Sequence, residues 1–166
     1  MLKINLGVLL GTAIAGLCGC QAATLATSGA MVAGTVAGKT AFHLYPVAGP
    51  LSENRTPPVI TGSGSARFPG GVQSIVFPDG ERFSGKLATR APGDPDDREL
   101  VPVWDSVYGN GYYAANVLGV TRWRGAATFT GSNGTSLKLE EIRDRRDNIV
   151  IGIAKDSKGN VLKLAL

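Results

Sequence analysis

The chain has 166 residues, with 17 Lys and Arg against 13 Asp and Glu, so its formal net charge is +4. The two signs are interspersed along the chain, which argues against nucleic-acid binding, because that function needs a surface of one sign. One histidine and two cysteines leave few side chains for a metal site or for thiol catalysis. The length suffices for a single domain with a hydrophobic core.

Residues 1–19 have the pattern of an export signal. Lys3 supplies a positive start and residues 4–17 form an apolar run. This run has about 14 residues, fewer than the ~20 that cross a bilayer core. The alternative interpretation of the segment is an ordinary secretory signal in which the two cysteines occur by chance.

The apolar run ends in Leu17-Cys18-Gly19-Cys20. This tetrapeptide resembles the lipobox of bacterial lipoprotein precursors, in which an aliphatic residue and two small residues precede the lipidated cysteine. The resemblance implies cleavage before Cys20, a diacylglycerol thioether on its sulfur and a location in the cell envelope. In lipoproteins, an aspartate directly after the lipidated cysteine retains the protein in the inner membrane. This chain has Gln21 at that position, so the resemblance favours the outer membrane.

Lipidation would make membrane lipid the first partner of the chain. Each buried methylene contributes ~0.8 kcal/mol, and two acyl chains anchor durably where one does not. Cleavage would remove Cys18 and acylation would consume Cys20. The folded domain would then be stable without a disulfide.

Residues 20–41 differ from the rest of the chain in being small and almost uncharged. Ala30, Gly34 and Gly38 recur every four residues, so a membrane-proximal helix could present them as a packing groove. A tether is the alternative, since Gly and Thr weaken helices. Residues 33–40 also match a loose P-loop pattern ending at Lys39 and Thr40. We interpret this match as chance, because no strand–loop–helix setting surrounds it, and we expect no nucleotide or other cofactor.

Residues 42–166 are predicted to form the folded domain. Prolines exclude long helices before residue 70. Residues 72–77 and 82–90 predict a hairpin around a Pro-Asp-Gly turn. Residues 91–99 predict an acidic surface loop, and residues 103–119 predict either a short helix near Tyr108 or a loop packed over a barrel end.

Four further strands follow, joined by tight turns. They are predicted at residues 120–130, 136–142, 149–154 and 161–166. With the earlier hairpin this makes about six or seven strands, so the predicted fold is mainly β, a small antiparallel barrel or sandwich. Residues 77–85 and 152–164 resemble segments of small uncharacterised proteobacterial envelope lipoproteins, a resemblance that implies no activity.

Catalytic candidates are few. His43 would have to serve any Ser-His-Asp triad, and no Gly-x-Ser-x-Gly elbow accompanies it. A glycosidase needs two carboxylates across a cleft. Glu140 and Glu141 are adjacent in a predicted strand and therefore point to opposite faces. The other acidic candidates are Asp79, Glu81 and Asp105.

The aromatic residues are the best candidates for a recognition surface, because rings with polar tips favour interfaces. These residues are Trp104, Tyr108, Tyr112, Tyr113 and Trp123. The alternative is that they pack in the core. We expect a non-enzymatic, lipid-anchored envelope protein whose β domain binds a protein, glycan or lipid. A periplasmic hydrolase is one alternative. An inhibitor that blocks a lytic enzyme with loop 91–99 is another.

Overall fold

The computed structural model describes residues 35–36, 39–65, 71–91, 98–118, 123–143 and 149–165. These residues belong to one compact unit, Met31–Leu166. The predicted signal segment 1–19 and the predicted lipidation site Cys20 lie outside the described residues. Of the predicted segment 20–41, residues 35–36 and 39–41 are described, and they form β-strand.

The described chain contains ten strands, one helix and one π-helical turn. The strands are β1 Thr35–Val36, β2 Lys39–Ala48, β3 Ile60–Ser65, β4 Val72–Val76, β5 Arg82–Lys86, β6 Ala88–Arg90, β7 Trp123–Thr130, β8 Ser136–Arg143, β9 Val150–Asp156 and β10 Val161–Ala165. The helix α1 spans Val101–Tyr108, and the π-helical turn spans Tyr113–Val117. The prediction of a mainly β domain is confirmed, but the predicted number of strands, six or seven, was too low.

Three of the additional strands lie before residue 66, and a fourth arises because the predicted strand 82–90 is divided into β5 and β6. Strand β2 begins at Lys39, three residues before the predicted domain boundary at residue 42, and it contains Pro46. The β2–β10 pairing shifts register between Val161 and Leu162, beside the position of Pro46. Such irregularities are where a sheet accepts proline, because no ladder hydrogen bond from its nitrogen is required. Strand β3 has the sequence ITGSGS, whose glycines and serines give little local β signal.

All ten strands form a single antiparallel sheet. Along the main path β5-β4-β3-β2-β10-β9-β8-β7-β6, the chain's last strand, β10, pairs with β2. The two ends of the path also meet. Thr89 of β6 pairs with Gly125 of β7, and Phe83 of β5 forms a bridge with Gly131. Each partner of the second pair lies six residues along its strand from the first pair, so both pairs belong to one antiparallel register. Strands β5 and β6 therefore act as one strand that nearly closes the sheet into a barrel.

The two ends of the barrel differ in their connections. The end called here the turn end carries the turns at residues 77–81, 131–135 and 157–160. Its tight turns use Gly80, Gly134 and Gly159, each with φ between 83° and 89°, a conformation that glycine adopts without strain. At the opposite end, called here the open end, β2 begins and β8 ends.

The barrel interior is filled by side chains, as expected for eight strand positions. Its core contains Phe42, Leu44, Ile60, Ile75, Phe77, Phe83, Leu87, Phe129, Leu137, Leu139, Val150, Ala154, Leu162 and Leu164. Glycines make room for the large rings. A Cβ on Gly62 would overlap the Phe42 ring, and one on Gly85 would lie 2.7 Å from the Phe129 ring.

A second apolar cluster lies outside the barrel. Helix α1 and the π-helical turn cover the outer face of the sheet and bury Leu100, Val103, Trp104, Tyr113, Val117, Ile142 and Ile153. The helix that was predicted near Tyr108 is thus present, and it lies along the barrel wall. Among helices in the described ranges, none has the length and apolar character of a membrane-spanning helix.

A buried carboxylate ties the turns together at the turn end. Glu81 is fully buried at the start of β5. It accepts hydrogen bonds from Thr135 Oγ1 at 2.7 Å, from the Thr135 amide at 3.1 Å and from the Asn133 amide at 3.2 Å. Lys158 Nζ lies 2.9 Å from Glu81 and 3.1 Å from Asp79. One carboxylate therefore joins three turns across the seam of the barrel.

We predict that Thr135→Val lowers the free energy of unfolding by about 1.5–3 kcal/mol, because Glu81 loses a hydrogen bond to its charged form. Thr130→Val on exposed β7 surface is the matched control, with an expected change below about 0.5 kcal/mol. Urea denaturation at pH 7 measures both variants.

Protonation of Glu81 limits the stability of the domain at low pH. Burial raises the pKa of Glu81, but the hydrogen bonds from Thr135 and Lys158 outweigh burial and lower it to about 2. The contribution of the Glu81 charge is complete above pH 4.5 and is lost as the pH falls toward 2. Equal stability of Thr135→Val and Thr130→Val would contradict the role assigned to Glu81.

Candidate functional site

The helix is joined to the barrel through a buried polar contact. Trp104 is fully buried, and its indole Nε1 donates to Glu140 Oε2 at 2.7 Å. The other oxygen of Glu140 is paired with Arg124 Nε. The Arg124 guanidinium also lies over the Tyr113 ring, 5.7 Å from its centroid. The buried carboxylate of Glu140 holds the helix in one position through these partners. Removal of one partner would leave a buried charge uncompensated and would destabilise the fold.

Three aromatic rings stack along the helix. The Tyr108 and Tyr112 ring centroids are 4.8 Å apart, and the Trp104 centroid lies 5.4 Å from Tyr108. Lys163 on β10 places its Nζ 4.9 Å from the Tyr108 centroid, a cation–π contact. Tyr45 on β2 is directly opposite Lys163 in the β2–β10 pairing. We call the half-buried set Tyr112, Tyr108, Lys163 and Tyr45 the aromatic row.

Tyr108 anchors the aromatic row to the sheet. Its hydroxyl donates toward the carbonyls of Gly152 and Leu164, at 3.1 and 3.3 Å. Burial raises the pKa of Tyr108 to about 12, although the hydrogen bond to Gly152 opposes the rise. The phenol therefore stays protonated at physiological pH and keeps its role as a donor.

The other predicted recognition residues lie in different settings. Tyr113 is 3% exposed and packs in the outer cluster with Trp104. Trp123 is half-buried at the start of β7, opposite Arg143. Of the five predicted residues, Tyr108 and Tyr112 lie together with partly exposed rings. Tyr45 and Lys163 were missed, because their proximity depends on the β2–β10 pairing, for which the sequence carries no local signal.

His43 lies half-buried on β2, with its ring centroid 6.3 Å from that of Tyr45. Its directly opposite neighbours are Thr61 on β3 and Ala165 on β10. Lys39 and Thr40, the end of the P-loop match, begin strand β2. A P-loop needs these residues at the start of a helix.

The acidic candidates have structural partners. Asp79 and Glu81 share Lys158. Glu140 is paired with Arg124, and Asp105 accepts a hydrogen bond from the Tyr113 amide at 2.8 Å. Within the ranges that the structure describes, no three His, Cys, Asp or Glu side chains are grouped as metal ligands.

Glu141 lies on the opposite face of β8 from Glu140, as the alternation predicted. It follows Leu137 and Leu139 on the inner face and is 7% exposed. Burial raises the pKa of Glu141 to about 7, although the nearby charge of Arg143 opposes the rise. Gln73 is also inward-facing and buried, and among the described residues its Oε1 has no hydrogen-bond partner.

A surface depression of 420 Å³ lies near the turn end. Its lining residues are Glu99, Ser136, Lys138, Lys155, Asp156, Ser157 and Gly159. Lys138 and Lys155 are directly opposite in the β8–β9 pairing, and Lys138 is 3.0 Å from Glu99. Since two carboxylates balance the two lysines, the depression has no excess of either charge.

No protein-family model, curated protein or solved structure matches this chain significantly.

We predict that Glu141 makes the domain less stable as the pH rises. Its folded pKa of about 7 exceeds the pKa of 4.5 of a glutamic acid side chain in the unfolded chain. The folded state therefore holds this proton more tightly, and stability falls between pH 4.5 and 7 by roughly 3 kcal/mol. Glu141→Gln should remove this fall, as measured by urea denaturation across that range.

Glu53→Gln is the matched control, because Glu53 is exposed in the β2–β3 connection. This variant should retain the wild-type pH profile. Parallel profiles for wild type and Glu141→Gln would show that burial of Glu141 does not perturb its ionisation.

Proposed function

We propose that this protein is a lipid-anchored cell-envelope protein of the outer membrane, whose β domain is a non-enzymatic binding module. The motif Leu17-Cys18-Gly19-Cys20 after a short apolar run supports the anchor. The aromatic row on the outer wall of the barrel is the single structural observation that carries the binding role.

The aromatic row has the features of a recognition surface. Tyr108 and Tyr112 have partly exposed rings that are held in place by stacking, so little side-chain entropy remains to be lost on binding. Lys163 adds a positive charge beside them. A partner would be an envelope protein, glycan or lipid with an apolar face and a polar or anionic edge.

The non-enzymatic proposal is supported by the roles of the acidic side chains. Glu81 and Glu140 hold the turns and the helix, and their oxygens are occupied by Thr135, Lys158, Trp104 and Arg124. A periplasmic hydrolase that acts as a glycosidase would need two such carboxylates facing one cleft. The inhibitor alternative depends on loop 91–99, of which residues 92–97 lie outside the described residues.

We predict that Cys20→Ser abolishes attachment of a labelled fatty acid and moves the protein from the membrane to the soluble fraction. The cause is loss of the thiol that carries the diacylglycerol. Cys18→Ser is the matched control and should remain acylated. Unchanged membrane fractionation of Cys20→Ser would defeat the proposed anchor.

The binding role is tested by photo-crosslinking in cells. A benzophenone amino acid at Tyr112 should yield a discrete adduct, because this partly exposed ring belongs to the aromatic row. The control places the same group at Ser74, which is exposed on β4 outside that row. Mass spectrometry of the adduct identifies the class of partner, and identical products from both positions would count against the aromatic row.

A further inference from the structure

We propose that the surface depression near the turn end binds the anionic group of a small hydroxylated ligand, a sugar phosphate or a sugar acid. The depression lies on the outer face of β8 and β9, and its seven lining residues all belong to the described ranges. It is separate from the aromatic row and adds a site to the binding role proposed above. Three observations support it: an opposed pair of lysines, carboxylates that are already engaged, and neighbouring hydroxyl groups.

Two lysines face each other across the paired strands. Lys138 on β8 is directly opposite Lys155 on β9. Both lie on the outer face, since their alternating neighbours Leu139 and Ala154 belong to the barrel core. Directly opposite side chains have Cβ atoms about 4.5–5.5 Å apart, and like charges in this arrangement destabilise a sheet. An anion held by the two ammonium groups would remove this repulsion.

A third lysine extends the positive surface to β10. Val161 is directly opposite Lys155, and Lys163 follows two residues later on the same face, so the two lysines are diagonal neighbours. Lys163 Nζ lies over the ring of Tyr108. Because the phenol of Tyr108 is protonated, this contact leaves the charge of Lys163 uncompensated. Three neighbouring strands therefore each present one ammonium group at or beside the depression.

Asp156, one of the two carboxylates of the lining, is engaged within its own turn. It is 3% exposed, and its oxygens accept hydrogen bonds from the Lys158 amide, the Asn160 amide and Asn160 Nδ2 at 2.7–2.9 Å. Within the described ranges, Lys155 has neither an ion-pair nor a hydrogen-bond partner. The formal charges of the depression balance, but Lys155 is the cation that remains available to a ligand.

Glu99, the other carboxylate of the lining, occupies the position of a ligand anion. It lies 3.0 Å from Lys138 Nζ, and its side chain is 64% exposed. Ion pairs with so exposed a partner are weak, so an incoming anion can displace Glu99 from Lys138. The pair also shows that a carboxylate can reach this lysine from the outer surface.

Two serine hydroxyls lie next to the lysine pair. The Ser157 amide donates to the Ser136 carbonyl at 2.8 Å, and the Ser136 amide donates to Ser157 Oγ at 3.1 Å. Because Ser157 Oγ is the acceptor in the second bond, its own proton is available to a ligand oxygen. The volume of 420 Å³ lies in the range of small-molecule sites, about 300–1,000 Å³. Lysine binds phosphate as a point charge, so the depression fits a sugar that carries one anionic group.

The test follows backbone amide shifts by NMR while the full-length chain, in nonionic detergent micelles, is titrated. The probes are glucose 6-phosphate and glucuronate, with glucose as the neutral control. We expect saturable shifts of the Ser136, Lys155 and Ser157 amides with at least one of the two anions and none with glucose. The anion that saturates at the lower concentration identifies the preferred group. Absence of saturation with both anions, or equal shifts with glucose, would overturn the proposal.

Lys155→Gln removes the available cation and should raise the dissociation constant about tenfold, as expected for loss of a charged contact. Lys86→Gln is the matched control, because Lys86 is exposed on β5 outside the depression, and it should leave the dissociation constant unchanged. The urea midpoint of Lys155→Gln should be kept or raised, because its repulsion with Lys138 is relieved. Its weaker binding then cannot be attributed to unfolding. Equal dissociation constants for the two variants would contradict the site.

A second pair of variants tests the role of Glu99. Glu99→Gln removes the competing carboxylate and should lower the dissociation constant about threefold. Glu53→Gln removes the same charge from the exposed β2–β3 connection and should leave the dissociation constant unchanged. Equal effects of the two variants would show that net charge alone acts, and would overturn the assignment of Lys138 and Lys155 to one anion site.

Discussion

The structure depends on the buried carboxylate of Glu81. It lies at the seam of the barrel, where β6 pairs with β7 over three residues and β5 meets β7 through one bridge between Phe83 and Gly131. Glu81 supplies acceptors for two amides and a hydroxyl of the β7–β8 turn and receives Lys158 from the β9–β10 turn. The charge of Glu81 can be buried because those donors replace its hydrogen bonds to water. The same hydrogen bonds join the turns at the seam, where few residues of the strands pair.

Closure of the barrel determines where function can reside. The interior is filled by aliphatic and aromatic side chains, so the outer wall and the two ends remain for partners. One part of the wall is covered by α1, which is held by Trp104, Glu140 and Arg124. At the edge of this cover Tyr108 meets Lys163, and the proposed recognition surface lies there, between the helix and the strands.

The C-terminal strands could be predicted from the sequence, and strands β2 and β3 could not. Strands β7 to β10 alternate and are separated by Gly- and Asn-containing turns, so local patterns sufficed. Strand β3 lacks bulky side chains, and β2 contains a proline that is accepted at an irregular pairing with β10. The aromatic candidates were predicted from residue type alone, which could not separate buried Trp104 and Tyr113 from partly exposed Tyr108 and Tyr112.

The sequence by itself determined the properties that depend on neighbours along the chain: the β class, the turns, and the opposite faces of Glu140 and Glu141. It also carries the motif at Cys20 from which the anchor is proposed. Only the tertiary structure decided that β10 pairs with β2 and that Glu81 joins three turns. The reason is physical, since alternation and turn chemistry act over a few residues, whereas these contacts join residues 50 or more positions apart.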